Sequence, residues 1–396
     1  MNSTERRAVI SLAGIFALRM LGLFSILPVF ALYAVDLAGA TPFLIGLALG
    51  AYGLTQAIFQ IPFGIWSDRY GRKPVIAIGL IIFALGSLVA ALSDSITGII
   101  FGRALQGSGA VAAAILALTA DLTRADQRTK AMAVIGISIG AMFILALILA
   151  PVVEGWVGVP GLFWLTFILT IPALAVLWLL VPAEPRVERK PEAMQFARVL
   201  NNPALLKLDT GIFVLHLVMT ALFVVTPGVI AQVTGWETAS HWKIYVPVLV
   251  LSVAGMLPLV KRHSTTANAH RAFALAIVIL ALSQVALVFS QNSLQILLVA
   301  LWLFFVGFNA LEAMLPSQVS RLAPAQHRGA ALGVYSTTEY LGVFVGGALG
   351  GWLHGRYGID AVYLFGLAMV LLWLFAATML PGKSETKSGA AVGAGE

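Results

Sequence analysis

Four charged residues stand inside long uncharged stretches: Arg19, Arg103, Glu312 and Glu339. A charge kept from water is costly, so its neighbours must supply a partner or a cavity. A glutamate in that setting can carry a proton, because drying disfavours the carboxylate and a nearby cation favours it. Glu312 and Glu339 are therefore candidate proton carriers. A structural ion pair with Arg19 or Arg103 is the other role open to them. His216 is a weaker relay candidate, since a single histidine in an apolar run commonly serves as a hydrogen-bonded packing residue. Tyr52, Gln56 and Gln60 recur every four residues and give one helix a polar stripe. Asn309 shares a face with Glu312. With Tyr33, these residues are candidates for lining a cavity, and helix-to-helix hydrogen bonding is their alternative use.

Other chemistries are not encoded. No phosphate-binding loop, dinucleotide fingerprint or His/acid metal spacing occurs. The six histidines are scattered and predict no ligand set. We expect no enzyme activity, no cofactor and no metal. The absence of cysteine excludes disulfides and thiolate catalysis.

The elements that hold these residues follow from composition. The 396 residues are 60% hydrophobic and only 10% charged, where a soluble domain runs near a quarter charged. That excludes an ordinary water-soluble enzyme and a disordered chain. Twelve spanning helices of about 22 residues would use roughly 264 positions. Apolar segments between positions 8 and 380 fit that number. Depth follows from spacing. Arg19 lies roughly 18 Å from Arg7 along a helix. Glu312 stands nine residues before Arg321, and Glu339 eleven after Arg328, so both carboxylates fall near mid-depth.

The net charge of +7 (24 − 17) sorts by side. Twenty of the 24 basic residues fall in alternate connections, from Arg6 to Lys387, and only Lys243 and Arg356 in the opposite set. The excess thus reads as a topology signal, with both termini cytoplasmic, rather than as affinity for nucleic acid. The halves repeat at an offset of 200: Ala125–Arg128 parallels Ala325–Arg328, and Gly107 matches Gly307. The expected organisation is a six-helix unit over 1–181, a cytoplasmic linker over 182–205, a second six-helix unit over 206–381 and a disordered cytoplasmic tail over 382–396.

One short basic loop is more specific than topology requires. It reads Gly64-Ile65-Trp66-Ser67-Asp68-Arg69-Tyr70-Gly71-Arg72-Lys73. Gly71 suits a tight turn and Gly64 a close backbone approach. This loop resembles the signature loop of the major facilitator superfamily. Arg103-Ala104-Leu105-Gln106-Gly107 resembles a second motif of that family. Gly136 to Gly155 resembles the helix-five motif of its drug:proton antiporter branch, through Gly136, Gly140, Ala150, Pro151 and Gly155, with Glu154 in place of a motif glycine. Leu18–Gly22, Leu27–Val29 and Leu311–Ala313 are similar to a YajR-like subgroup.

The resemblance covers almost the whole chain and implies an all-α membrane protein, with 12 transmembrane helices in two pseudo-symmetric bundles. It implies that Asp68 latches the halves on the cytoplasmic side, with Arg69, Arg72, Asp121 and Arg128 in a charge relay and Lys73 in the same loop. Gly136 and Gly140, like Gly342, Gly346 and Gly350, sit four apart and are expected to pack helices closely, as sliding contacts between halves or as static ones. The expected function is alternating-access transport in a bacterial inner membrane: proton-coupled efflux of amphipathic or hydrophobic small molecules by a monomer. A proton symporter or uniporter for a sugar or metabolite is the first alternative, and a membrane sensor the second.

Overall fold

A computed structural model describes residues 1–124, 126–183, 199–264, 269–323 and 328–378. Twelve spanning helices order them. In the first half these are α1 (Ser3–Phe24), α2 (Pro42–Tyr70), α3 (Arg72–Ala91), α4 (Ile96–Asp121), and α5 and α6, the two arms of Arg128–Leu179. In the second half they are α7 (Pro203–Thr234), α8 (Trp242–Ser264), α9 (Ala269–Val288), α10 (Leu294–Leu322), α11 (Arg328–Tyr357) and α12 (Ile359–Thr378). Among the described residues the only β-pairing is an isolated bridge between Ala38 and Ser95. Most of the expected linker and the whole expected tail lie outside the described residues.

Local chemistry sets the ends. Asn2 and Glu5 form a reciprocal capping box at the start of α1. Thr41, Ser95, Asn202 and Ser293 cap α2, α4, α7 and α10 through their side chains. Gly71, at φ 97°, makes the one-residue turn between α2 and α3 that a Cβ would strain.

Two spans are interrupted from within. Between α5 and α6 the chain kinks rather than looping out, because Gly158 at φ 67° redirects an otherwise continuous helix and Pro160 fits the first turn beyond it. The fourth span breaks at Gly109–Val111. That break frees the Gly109 carbonyl, which accepts a hydrogen bond from Arg19 Nη2 at 2.9 Å.

Within the first half α1 packs on the α5–α6 arms, and α4 on α2 and α3; within the second, α7 packs on α11, and α9 on α10 and α12. α7 is almost wholly buried, whereas the α5–α6 arms and α12 expose most of their apolar surface. Side chains such as Ile137, Trp156, Ile168 and Phe375 face outward. An apolar exterior of that extent suits lipid, not water.

The halves meet along α2 and α11. A Cβ on Gly46 would overlap the Gly347 carbonyl, one on Gly50 would lie 2.7 Å from the Phe344 carbonyl oxygen, and one on Gly53 would lie 2.5 Å from that of Tyr340. Gly351 packs in the same way against Pro42 and Gly46. Small residues let two helix backbones touch. These approaches all fall in the half of α2 remote from the basic loop, called the outer end here. Gly155 of α5 adds a close approach to Ala239, which lies just before α8.

The expected roles of several glycines are therefore corrected. A Cβ at Gly136 or Gly140 would meet nothing within 4 Å, because both lie on the exposed face of α5. Gly342, Gly346 and Gly350 do pack closely, but against Phe213, Leu217 and Ala221 of α7 within one half. Gly64 needs no exceptional approach, since a Cβ there would lie 3.7 Å from Ala113 Cβ, an ordinary contact.

Candidate functional site

Two buried polar groups flank the space between the halves. In the first half, Arg19 donates to Gln56 Oε1 at 2.6 Å, and Gln56 donates to Gln60 Oε1 at 2.8 Å. The guanidinium of Arg19 also lies 5.6 Å from the Tyr52 ring centroid, with that of Arg103 at 5.1 Å from the same ring. Arg103 donates to Gln106 Oε1 at 3.0 Å, and Gln106 to Ser87 Oγ at 2.8 Å. Arg19, Arg103, Tyr52, Gln56 and Gln60 are all at most 1% exposed. Gln56 and Gln60 thus hydrogen-bond within the first half, and the Tyr52 ring lies near both guanidiniums. Tyr33 lies beyond α1 in the short helix Phe30–Tyr33, packed on α7 near the outer loops. Asn309 donates to Ser252 Oγ at 3.1 Å and ties α10 to α8.

In the second half, α7, α10 and α11 bring His216, Glu312 and Glu339 together. One ligand atom from each lies within 4.8 Å of the others. His216 Nε2 stands 3.4 Å from Glu339 Oε1, and its Nδ1 stands 3.3 Å from the Ile212 carbonyl oxygen one turn earlier. A hydrogen on Nδ1 would be donated to that carbonyl, which can only accept. Glu312 Oε2 is buried without a hydrogen-bond partner. The alternative role of the glutamates, an ion pair with Arg19 or Arg103, is not what the structure forms: Glu339 lies beside His216, while Arg19 and Arg103 are held by amides, carbonyls and a ring in the other half. His216, scattered from the two glutamates in sequence, joins them only through helix packing.

Two further residues belong beside this cluster. Tyr335, one turn before Glu339, has a buried hydroxyl with no partner and feels the charges of Glu312, Glu339 and Asp209. Asp209 lies two turns before His216 on α7, is 4% exposed and keeps Oδ2 unpartnered. The spacing of Asp209 to His216 held this signal, but linear position alone assigns Asp209 to a wet helix end.

Aromatic rings join the halves between these groups. Phe143 of α5 contacts Phe24 at 5.1 Å, Phe308 at 5.8 Å and Phe305 at 6.2 Å between centroids. Tyr52 meets Tyr340 at 6.2 Å. The side chain of Glu339 nonetheless keeps 23% exposure.

The basic loop at the inner end is also ordered by charge. Arg72 is 7% exposed and bridges Asp68 at 2.5 Å and Asp121 at 3.3 Å, and also donates to Ser67 Oγ at 2.6 Å. Lys73 donates to the Val181 carbonyl at 2.6 Å. Arg128 donates to the Ala120 carbonyl at 3.1 Å, and Arg69 lies over the Tyr70 ring at 5.4 Å. The α4–α5 loop is fastened by Arg124, which donates through Nε to Glu5 Oε1 at 3.0 Å. That carboxylate holds the exposed Arg124 guanidinium above its ordinary pKa.

Residues 12–319 and 269–396 match the sequence profile of the Major Facilitator Superfamily. The chain belongs to that superfamily. It is 44% identical over 384 residues to the inner membrane transport protein YajR of Escherichia coli, covering 96% of this chain and 84% of that one. It is 26% identical over 397 residues to multidrug resistance protein 2 of Bacillus subtilis, covering 94% and 96%. A bacterial homologue of the human lysosomal transporter Spinster, solved in an inward-facing occupied conformation, superposes with a TM-score of 0.76 at 13% identity over 95% of this chain and 96% of that one. As a major facilitator protein the chain is a membrane-embedded transporter of small molecules and not an enzyme. Its two bundles are the superfamily's architecture.

Proposed function

We propose that this transporter exports amphipathic or hydrophobic small molecules from a bacterial cytoplasm across the inner membrane in exchange for protons. The observation that carries this reading is the convergence of His216, Glu312 and Glu339 beside an aromatic wall at mid-depth. Three titratable groups on three helices can take up a proton when wet from one side and pass it on when the halves rock. Phe143, Phe305 and Phe308 offer an apolar surface to a lipophilic solute. The multidrug relative supports the substrate class, and YajR supports the membrane.

This reading puts both termini in the cytoplasm, on the bias of basic loops, and builds the cavity within one chain. Asp68, Arg72 and Asp121 are assigned as the inner latch, loaded here within the first half while the outer ends of α2 and α11 touch. When the inner ends approach, that carboxylate–guanidinium group is positioned to meet the second half.

The test is transport by purified protein in proteoliposomes with an imposed pH gradient, read with a lipophilic dye and an internal pH probe. Dye movement opposite to the proton flux is expected, and Glu339→Gln should abolish the coupling. Dye accumulation in the same direction as proton flux overturns antiport. Unchanged flux in both Glu312→Gln and Glu339→Gln overturns the assignment of the cluster.

A further inference from the structure

His216 turns its two ring nitrogens to different partners. With its hydrogen on Nδ1, toward the Ile212 carbonyl at 3.3 Å, the neutral ring presents the Nε2 lone pair to Glu339. A lone pair facing a carboxylate oxygen calls for a proton or a metal cation between them. The 3.4 Å separation is longer than a charge-assisted hydrogen bond, which runs about 2.7–2.9 Å. It is, however, the edge of a coordination tetrahedron: ligand bonds of about 2.1 Å give neighbouring ligand atoms roughly 3.4 Å apart.

We propose that His216, Glu312 and Glu339 bind one divalent transition-metal cation of the Zn²⁺ or Co²⁺ class, which prefers imidazole and carboxylate together. Glu312 completes the set. Its ligand oxygen lies within 4.8 Å of the other two, so reaching the tetrahedral edge needs a shift of at most about 1.4 Å, within the swing of one carboxylate. Its Oε2 is buried with nothing to bond.

The charges also match. A neutral imidazole and two carboxylates sum to −2, which a divalent cation cancels, so the loaded site is neutral where charge is costly. The hydrogen bond from Nδ1 to a carbonyl is the outer-shell arrangement that orients a metal-bound histidine. The open side of Glu339 leaves the fourth position to water or a cargo donor, while Tyr335 supplies a buried hydroxyl one turn away. Among the described residues no other three His, Asp or Glu side chains converge this way.

The site goes beyond the proton-antiport reading and can be tested without a gradient. Purified full-length protein in detergent, stripped with a chelator, is titrated with Zn²⁺ by calorimetry and with Co²⁺ by visible absorption. About one ion per chain is expected, with the intense Co²⁺ bands of a tetrahedral site. Glu312→Gln and His216→Gln should each weaken binding by at least about 10-fold, since even outer-shell losses cost that much. The exposed His270→Gln should leave binding unchanged. Should a cluster variant not fold, X-ray absorption on the Zn²⁺-loaded wild-type protein decides, with one imidazole among four light-atom ligands expected. Absence of stoichiometric binding, undiminished affinity in both folded cluster variants, or a six-coordinate spectrum overturns the proposal. None of these results bears on the direction of dye and proton flux.

Discussion

Replacing Gly46 by alanine should prevent the outer ends of α2 and α11 from closing. The added methyl would overlap the Gly347 carbonyl oxygen and lie 2.8 Å from Gly351 Cα and 2.9 Å from its nitrogen. Carbon contacts are comfortable near 3.5–4.0 Å, so the helices must part by about 1 Å. All three obstructing atoms are backbone, and no rotamer change can relieve them. Overpacking of this kind costs about 1–3 kcal/mol. At 1.4 kcal/mol per tenfold, the balance moves about 5- to 140-fold toward states with the outer ends apart. The native chain has no cysteine, so spin labels can be placed directly at Phe43→Cys and Tyr357→Cys, on exposed outer ends of the two helices. Pulsed dipolar spectroscopy should show a longer distance in Gly46→Ala and none in Gly136→Ala, where a methyl meets open space. An unchanged distance distribution in Gly46→Ala would refute the argument that these glycines set the outer closure.

Two other outcomes are expected. Gln56→Leu removes the amide that accepts from Arg19 at 2.6 Å, leaving a buried cation short of a partner. A stability loss of about 1–3 kcal/mol should follow, seen as a lower midpoint in thermal unfolding of the detergent-solubilised protein. Asp68→Asn loosens the bridge to Arg72, so turnover in proteoliposomes should fall while substrate binding persists, and unchanged turnover would remove Asp68 from the latch.

Much of the fold is legible in the residues because lipid imposes a simple rule. Every spanning backbone group must be satisfied within its own segment, so long apolar runs become helices and basic loops mark one side. The exceptions are conformational. The turn at Gly158 depends on one positive φ inside an apolar stretch, and the break at Gly109–Val111 frees a carbonyl that Arg19 of another helix claims. The partners of the glycine stripes are set by packing for a related reason. Spacing of four shows that a helix has a small-residue stripe, but the partner decides which stripe is used. On α11 both stripes are occupied, one by α7 and one by α2.

The site divides along the same line. Sequence alone determined that Arg19, Arg103, Glu312 and Glu339 lie within the membrane, because depth is a one-dimensional count from charged loops. It also determined the superfamily, through a loop whose glycine, acid and basic spacing is a local property. Only the tertiary structure decided who meets whom. It set the arginines into carbonyls, amides and the Tyr52 ring of one half, and joined His216 to the two glutamates of the other. Helix rotation and crossing angle govern those encounters, and both are products of packing between distant segments, which no count along the chain contains.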